Sequence, residues 1–272
     1  MNQIHIVGVS PRSGTTLLAE AMKTCFNIDY CTPHEDRLFT RPPFRTDVFL
    51  TKRPRDIMIA GPSLKVDPNF YVICLIRDPR DIICSNHQKA PDQYWTGLKF
   101  WKIYSKKVKE LEKFSRFTAI KYEELVSDPD RIQERLMEKI PILEKKMNFS
   151  EYHLAASVSD SSKEALKSVR PIKPTSVGKW KEHKARVAGQ IQLHGSIAED
   201  LIRFGYEEDE EWLKELSGVE PDLSESYRSE FVTLKDRIGF RAGKYAEAAR
   251  RIIERFLGTR IRITHPKKWF KP

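Results

Sequence analysis

Apolar residues run from Ile4 to Val7, interrupted only by His5, and close on Gly8; small residues follow, then the hydroxyl pair Thr15-Thr16. Leu17, Leu18, Ala21 and Met22 recur at helical spacing. A strand, a loop and a helix fading near Thr24 to Asn27 are therefore predicted. Residues 28–68 carry prolines at 33, 42, 43, 54, 62 and 68 with weak periodicity, which predicts a long irregular stretch of the kind that carries function. The unbroken apolar run Phe70 to Ile76 predicts a strand buried on both faces. Pro79 suits a first helical turn, and Ile82, Ile83 and Asn86 continue that helix. A longer helix is predicted from about Tyr94 to Phe114, with Trp101, Tyr104, Val108 and Leu111 on one core-facing side. Phe117 to Lys121 reads as a third strand, and Pro129 opens a helix with Ile132, Leu136 and Ile140 on one face.

From Ser157 to Lys184 the chain turns polar and basic, as a loop able to close over a ligand does. Val187, Ile191, His194, Ala198 and Leu201 share a face of a further helix ending near Phe204 to Tyr206, with His194 packed rather than ligating. Past Gly218 the composition shifts, and Tyr245, Ala249, Ile252 and Phe256 mark a final helix carrying Arg250, Arg251 and Arg255. A docked, solvated helix is expected there before a membrane-surface or partner-binding one. Strands alternating with helices define an α/β fold with parallel crossovers, whose ligands bind beyond the carboxyl ends of strands. The expected organisation is one α/β domain over residues 1–218 and a helical extension over 219–272, packed on the domain or appended to it.

Composition adds a direction to this outline. Of 272 residues, 40% are hydrophobic and 32% charged, which suits a soluble globular chain, and the net charge of +10 favours an anionic ligand. No aromatic-basic cluster or nucleic-acid motif stands out, so nucleic acid is not the expected partner. Cys25, Cys31, Cys74 and Cys84 lack metal-ligand spacing and read as reduced thiols. With the first strand opening near residue 3 and no run approaching a membrane span, a cytoplasmic location is expected.

The chemistry starts at the loop Pro11-Arg12-Ser13-Gly14-Thr15-Thr16 between strand and helix. Backbone N–H groups at a helix start have no intrahelical partners, and the helix dipole adds positive charge, so an anion is the expected occupant. A Walker A loop needs four residues between its glycines and a lysine before the hydroxyl. Here five residues separate Gly8 from Gly14, and Thr15 stands in the lysine's place. Arg77, at the tip of the second predicted strand, and Ser85, in the helix that follows, can converge on one phosphate.

These motifs in this order resemble the sulfotransferases that use 3′-phosphoadenosine 5′-phosphosulfate (PAPS), and Gly178-Lys179-Trp180 matches a further signature of that family. The resemblance covers roughly residues 3 to 207 and implies a P-loop NTPase-like parallel sheet flanked by helices. It implies that Arg12, Ser13, Gly14, Thr15 and Thr16 hold the 5′-phosphosulfate, and that Arg77 and Ser85 hold the 3′-phosphate. Lys173, Lys179 and Trp180 join the nucleotide site, with Tyr122 on the adenine side. The match is strongest to the tyrosylprotein or Golgi-type branch: Glu35-Asp36-Arg37 resembles a Glu-x-Arg whose glutamate is the catalytic base. In the same branch Lys52 before Arg53-Pro54 resembles a lysine contacting the leaving oxygen, and Arg37 falls on the acceptor side. Lys89 stands where that branch carries an arginine.

Sulfuryl transfer to a hydroxyl needs a base, in-line alignment and positive charge at the sulfuryl and bridging oxygens. Glu35 answers the first need, Arg12 and Lys52 the last, and no metal is implied. His34 is the rival base. The expected donor is PAPS, with adenosine 3′,5′-bisphosphate (PAP) as product. The expected acceptor is a carbohydrate or glycolipid hydroxyl, then a peptide tyrosine. A P-loop-like nucleotide or small-molecule kinase is the alternative, weakened by the missing lysine and by Arg77 where a metal-binding carboxylate would stand.

Overall fold

In the computed structural model, which describes residues 1–33, 35–166, 168–228 and 233–258, five parallel strands form one sheet in the order β2-β3-β1-β4-β5. The strands are β1 (Asn2–Gly8), β2 (Tyr30–Cys31), β3 (Val48–Lys52), β4 (Phe70–Ile76) and β5 (Phe117–Lys121). In register, Ile6 of β1 sits opposite Lys52 on one side and Ile73 on the other, and Cys74 of β4 sits opposite Ala119. From β1 the chain runs to the edge strand β2, returns to β3 between them, and then crosses to the other side of β1 for β4 and β5. The strand order therefore reverses at β1, where such sheets bind ligands.

Alternation along the strands supplies two core faces. Ile4, Ile6, Ile73 and Leu75 point to one side, under α1 (Thr15–Cys25) and two later helices, α5 (Tyr122–Ser127) and α6 (Pro129–Lys139). Val7, Phe70, Val72, Cys74 and Ile76 point to the other. They meet α2 (Ala60–Val66), α3 (Pro79–Ile83), α4 (Leu98–Leu111), α9 (Lys184–His194) and α10 (Ala198–Arg203). Each such side chain is wholly or almost wholly buried, worth about 1.5–3 kcal/mol apiece. Two short helices, α7 (Tyr152–Ala155) and α8 (Asp160–Leu166), close the α1 side.

The irregular stretch predicted over 28–68 contains more order than its sequence shows. It holds β2, β3, a 3₁₀ turn over Pro54–Met58 and α2, and β3 offers only Val48-Phe49-Leu50 as an apolar signal. The helix predicted through Leu201 is two helices, because Gly195 takes φ 81° and ends α9. The helix after β4 stops at Ile83, before Ser85 and Asn86, and the longer one starts at Leu98 rather than near Tyr94. Within residues 157–184, α8 and a 3₁₀ turn over Lys179–Glu182 flank the expected loop.

The last helix, α11 (Leu234–Leu257), lies along α2. Arginines supply most of its docking contacts: Arg251 donates to Asp67 (2.5 Å) and to the Leu38 carbonyl (3.1 Å), Arg250 donates to the Phe39 carbonyl (2.7 Å), and Phe240 packs on the core. Arg41 bridges from the 37–41 loop to Glu247 (3.1 Å) and Glu254 (2.9 Å). All four cysteines are free thiols, Cys25, Cys74 and Cys84 buried. No helix among the described residues is long and apolar enough to cross a membrane.

Candidate active site

The loop after β1 is built to present backbone. The Ser13 hydroxyl donates to the Ser10 carbonyl (2.7 Å) and accepts from the Ser10 N–H (3.1 Å), so a short bridge fixes the turn and uses the side chain up. Arg12 (φ 72°) and Gly14 (φ 92°) both take left-handed backbone, a pattern that turns successive N–H groups toward one concavity. Gly14 is required on a second ground. A Cβ there would lie 2.4 Å from Cδ2 of Tyr122, which packs flat on the loop from the end of β5. α1 opens without a side-chain cap, whereas Asp78 caps α3 and Asp128 caps α6. The start of α1 thus keeps its N–H groups for an outside acceptor.

Arg77 leaves the end of β4 and lies over the Tyr122 ring, 4.4 Å from its centroid. It donates to the Arg12 carbonyl (2.9 Å) and to the Ser176 carbonyl (2.7 Å), tying the first loop to the 168–179 segment. Burial, and then the nearby Arg77 charge, lower the Arg12 pKa to about 10. Nε of Arg12 and Nε of Arg77 are both buried and lack a hydrogen-bond partner among the described residues. Two desolvated guanidinium groups with orphaned donors define a place for a multiply charged oxyanion.

A second line of contacts runs from the same loop through β3. Lys52 Nζ donates to Thr16 Oγ1 (2.9 Å) and lies 3.8 Å from Glu35 Oε1. Burial pushes the Lys52 pKa down, and Glu35 opposes that shift. The Glu35 carboxylate is half exposed, so the chain Glu35, Lys52, Thr16 leads from solvent to the start of α1.

These groups surround one cavity of about 960 Å³ at the carboxyl ends of β1, β4 and β5, a volume suited to a nucleotide-sized ligand. Arg12, Gly14, Thr15, Thr16, Glu35, Arg77, Ser85, Tyr122, Lys173 and Lys179 line it. Ser85 Oγ donates to the Asp81 carbonyl (2.8 Å) in its own turn. Five other sequence candidates lie off the wall. Ser13 is enclosed in its bridge, Lys52 reaches the site through Thr16 and Glu35, and Arg37 is half-buried beside it. Lys89 is paired with Glu164 (3.4 Å) at the rim. Trp180 is buried, its indole packed on Arg80, whose guanidinium is held between Trp180 and Trp212 at 4.2 and 4.7 Å. Trp180 therefore acts on the cavity only through its neighbours. His34 lies outside the described residues.

One residue of weight escaped the sequence reading. Asp81, in the first turn of α3, accepts from the Gly178 N–H (2.8 Å) and the Trp180 N–H (3.0 Å), fastening the turn that carries Lys179. Burial, and then Asp78, push its carboxyl pKa up. Its partners lie almost a hundred residues away, so no local pattern announces it. Among the described residues no cluster of His, Cys, Asp and Glu is arranged to hold a metal ion.

No protein-family model matches this chain, and no curated protein does. Solved structures do resemble it. The sulfotransferase domain from the curacin biosynthetic pathway is 17% identical, with 66% of this chain and 91% of that chain covered and a TM-score of 0.49. The sulfotransferase domain from the Synechococcus PCC 7002 olefin synthase is 15% identical over 66% of this chain and 87% of its own, with a TM-score of 0.48. Retinol dehydratase in complex with androsterone and the inactive cofactor PAP is 14% identical, with 96% and 82% covered and a TM-score of 0.30. At such identities the likeness is one of backbone course alone.

Proposed function

We propose that this chain is a sulfotransferase that moves a sulfuryl group from PAPS to an acceptor hydroxyl. The observation that carries the reading is the pair Arg12 and Arg77, desolvated together at the uncapped start of α1 with both Nε atoms unpartnered. That set fits a phosphosulfate and a second phosphate: the loop from Arg12 to Thr16 would hold the first, and Arg77 with Ser85 the second. Tyr122, its ring held between Arg77 and the Gly14 loop, lines the cavity on the side assigned to the base, and Lys173 and Lys179 add charge along the 168–179 segment. Trp180 supports Lys179 from beneath in this reading, and Lys89 contributes its charge from the rim.

The donor supplies an activated sulfur–oxygen bond to an already anionic leaving phosphate. Glu35 takes the acceptor proton as the new oxygen–sulfur bond forms and the bridging bond breaks. Lys52, held between Thr16 and Glu35, is assigned to the bridging oxygen, where its ammonium would offset the growing negative charge. Arg37, beside Glu35 in sequence, is assigned to the acceptor side. A carbohydrate or glycolipid hydroxyl is the favoured acceptor and a peptide tyrosine the next. The free, buried thiols suit a reducing, cytoplasmic setting. Motifs of the tyrosylprotein branch, Glu35 with Arg37 and Lys52 before Pro54, support that relationship.

A thermal-shift comparison tests the donor. At about 100 times Kd, PAP should stabilise the chain by roughly 2.7 kcal/mol. Stabilisation by magnesium ATP without any by PAP would instead establish the kinase reading. That reading has little room here, since the Asp78 carboxylate at the end of β4 is committed to Arg80 (2.8 Å). Transfer from labelled PAPS to a panel of glycans, peptides and small alcohols tests the acceptor. Glu35→Gln should lower turnover by about 10²- to 10⁴-fold while leaving the PAP shift intact; turnover near that of the parent would remove Glu35 from the mechanism.

A further inference from the structure

Outside the anion cavity, the most unusual surface is the outward side of α11. A helix docked on a globular body normally buries its apolar stripe and exposes its polar one. In α11 the inner side carries Glu247, Arg250 and Arg251, all buried, while the outer side presents Leu234, Ile238, Tyr245, Ile252 and Phe256. Phe256 is 89% exposed. At 3.6 residues per turn, residues seven apart return to nearly the same azimuth. Ile238, Tyr245 and Ile252 therefore form one line, which Leu234 and Phe256 prolong by a turn at each end.

The charges beside this line decide what covers it. A second copy seated on this face would meet Ala242, Ala249 and Phe256 four positions after each member of the line and, on its other border, the residues three positions after. Those positions hold Arg241, Ala248 and Arg255; the alanine is buried against the body and both arginines are exposed. Glu247 and Glu254 are bonded inward to Arg41, so no described acidic side chain of α11 faces outward to offset the arginines. Self-pairing would bring cations onto cations. An apolar line bordered by Arg241, Lys244 and Arg255 instead matches an anionic phospholipid surface, with acyl chains for the first and phosphates for the second. Residues 259–272 continue the same chemistry in sequence, with Arg260, Arg262, Lys267, Lys268 and Lys271, Trp269 and Phe270, and no acidic residue.

We propose that α11 docks on an anionic membrane surface, its apolar line seated at the acyl boundary and its bordering arginines on lipid phosphates. On its opposite, inward side α11 meets the rim of the candidate active site: Arg55 lines the cavity, and its guanidinium lies 5.4 Å from the ring of Phe240, which packs on the core.

Cosedimentation of the full chain with vesicles tests the surface. Binding is expected to phosphatidylcholine vesicles containing about one-third phosphatidylglycerol, and none to phosphatidylcholine alone. The pair Ile252→Ser and Phe256→Ser should abolish binding, and Arg241→Gln with Arg255→Gln should weaken it about 30-fold. Neither pair should alter the thermal shift with PAP. The proposal fails if the chain stays in the supernatant with anionic vesicles, or if the serine pair binds like the parent. A dimer in sedimentation equilibrium that the serine pair converts to monomer would overturn it too. Donor and acceptor are absent from the vesicle assay, so a chain that binds vesicles but gives no shift with PAP keeps the surface and loses the proposed reaction.

Discussion

Arg12 holds a left-handed backbone that costs a non-glycine residue about 1–2 kcal/mol, and its side chain is buried beside a second guanidinium. A base whose pKa is lowered on folding binds fewer protons in the folded state than in the unfolded one. As pH rises above about 10, therefore, Arg12 makes stability rise with pH until the unfolded chain's arginine also loses its proton. An anion at the site reverses the balance, because it restores proton affinity to Arg12. PAP affinity is accordingly expected to be flat at neutral pH and to weaken as pH rises through about 10, with proton uptake on binding in calorimetry. An affinity unchanged across that rise would place Arg12 outside the anion site. Asp81 carries a separate expectation. Asp81→Ala removes both N–H contacts to the Lys179 turn, which should raise the KM for donor by about 5- to 100-fold and change kcat little.

At the scale of the element, the strand-to-helix loop depends on one missing side chain. Gly14→Ala meets both a φ of 92° and the Tyr122 ring, so a loss of about 1–3 kcal/mol and of the PAP thermal shift is expected. Tyr122→Ala in the same chain should recover part of the stability and none of the strain in φ. α11 is held largely by charges, with Phe240 and Ala248 adding apolar contact. Glu247→Ala takes one carboxylate from three buried arginines, Arg41, Arg250 and Arg251, leaving Arg41 on Glu254 and Arg251 on Asp67, and should cost about 3 kcal/mol, a fall in Tm of roughly 6 °C. The elements differ in how plainly the sequence announces them. β4 is legible because a parallel strand covered on both faces is a continuous apolar run, whereas β2 and β3 are too short to outweigh the prolines around them. The start of α1 is legible from its glycine, arginine and hydroxyls. The contacts that shape the site are not, since Tyr122 and Lys52 come from other strand ends, Ser176 from the 168–179 segment and Asp81 from α3, and no local pattern announces which atoms they meet. Lys89 and Trp180 show the converse: spacing puts both near the cavity, and packing turns one toward Glu164 and the other under Arg80.

For the molecule as a whole, the reversal of strand order at β1 gathers three strand ends into one cationic mouth, and the net charge of +10 acts on any anion approaching it. Raising ionic strength from about 0.05 to 0.5 M should raise the donor KM severalfold with kcat nearly constant, since screening acts on encounter more than on enclosed contacts. A KM insensitive to salt would confine the electrostatics to the pocket itself. The inverted last helix has a consequence of a different kind, for tolerance to change. In a saturation scan scored by folding yield, hydropathy along α11 should run backwards. Polar substitutions at Ile238, Ile252 and Phe256 should pass or improve yield, and apolar ones at Arg250 should fail. Selection for yield alone would thus erode the outer face first, and growth of the host under a requirement for the product would be needed to keep it.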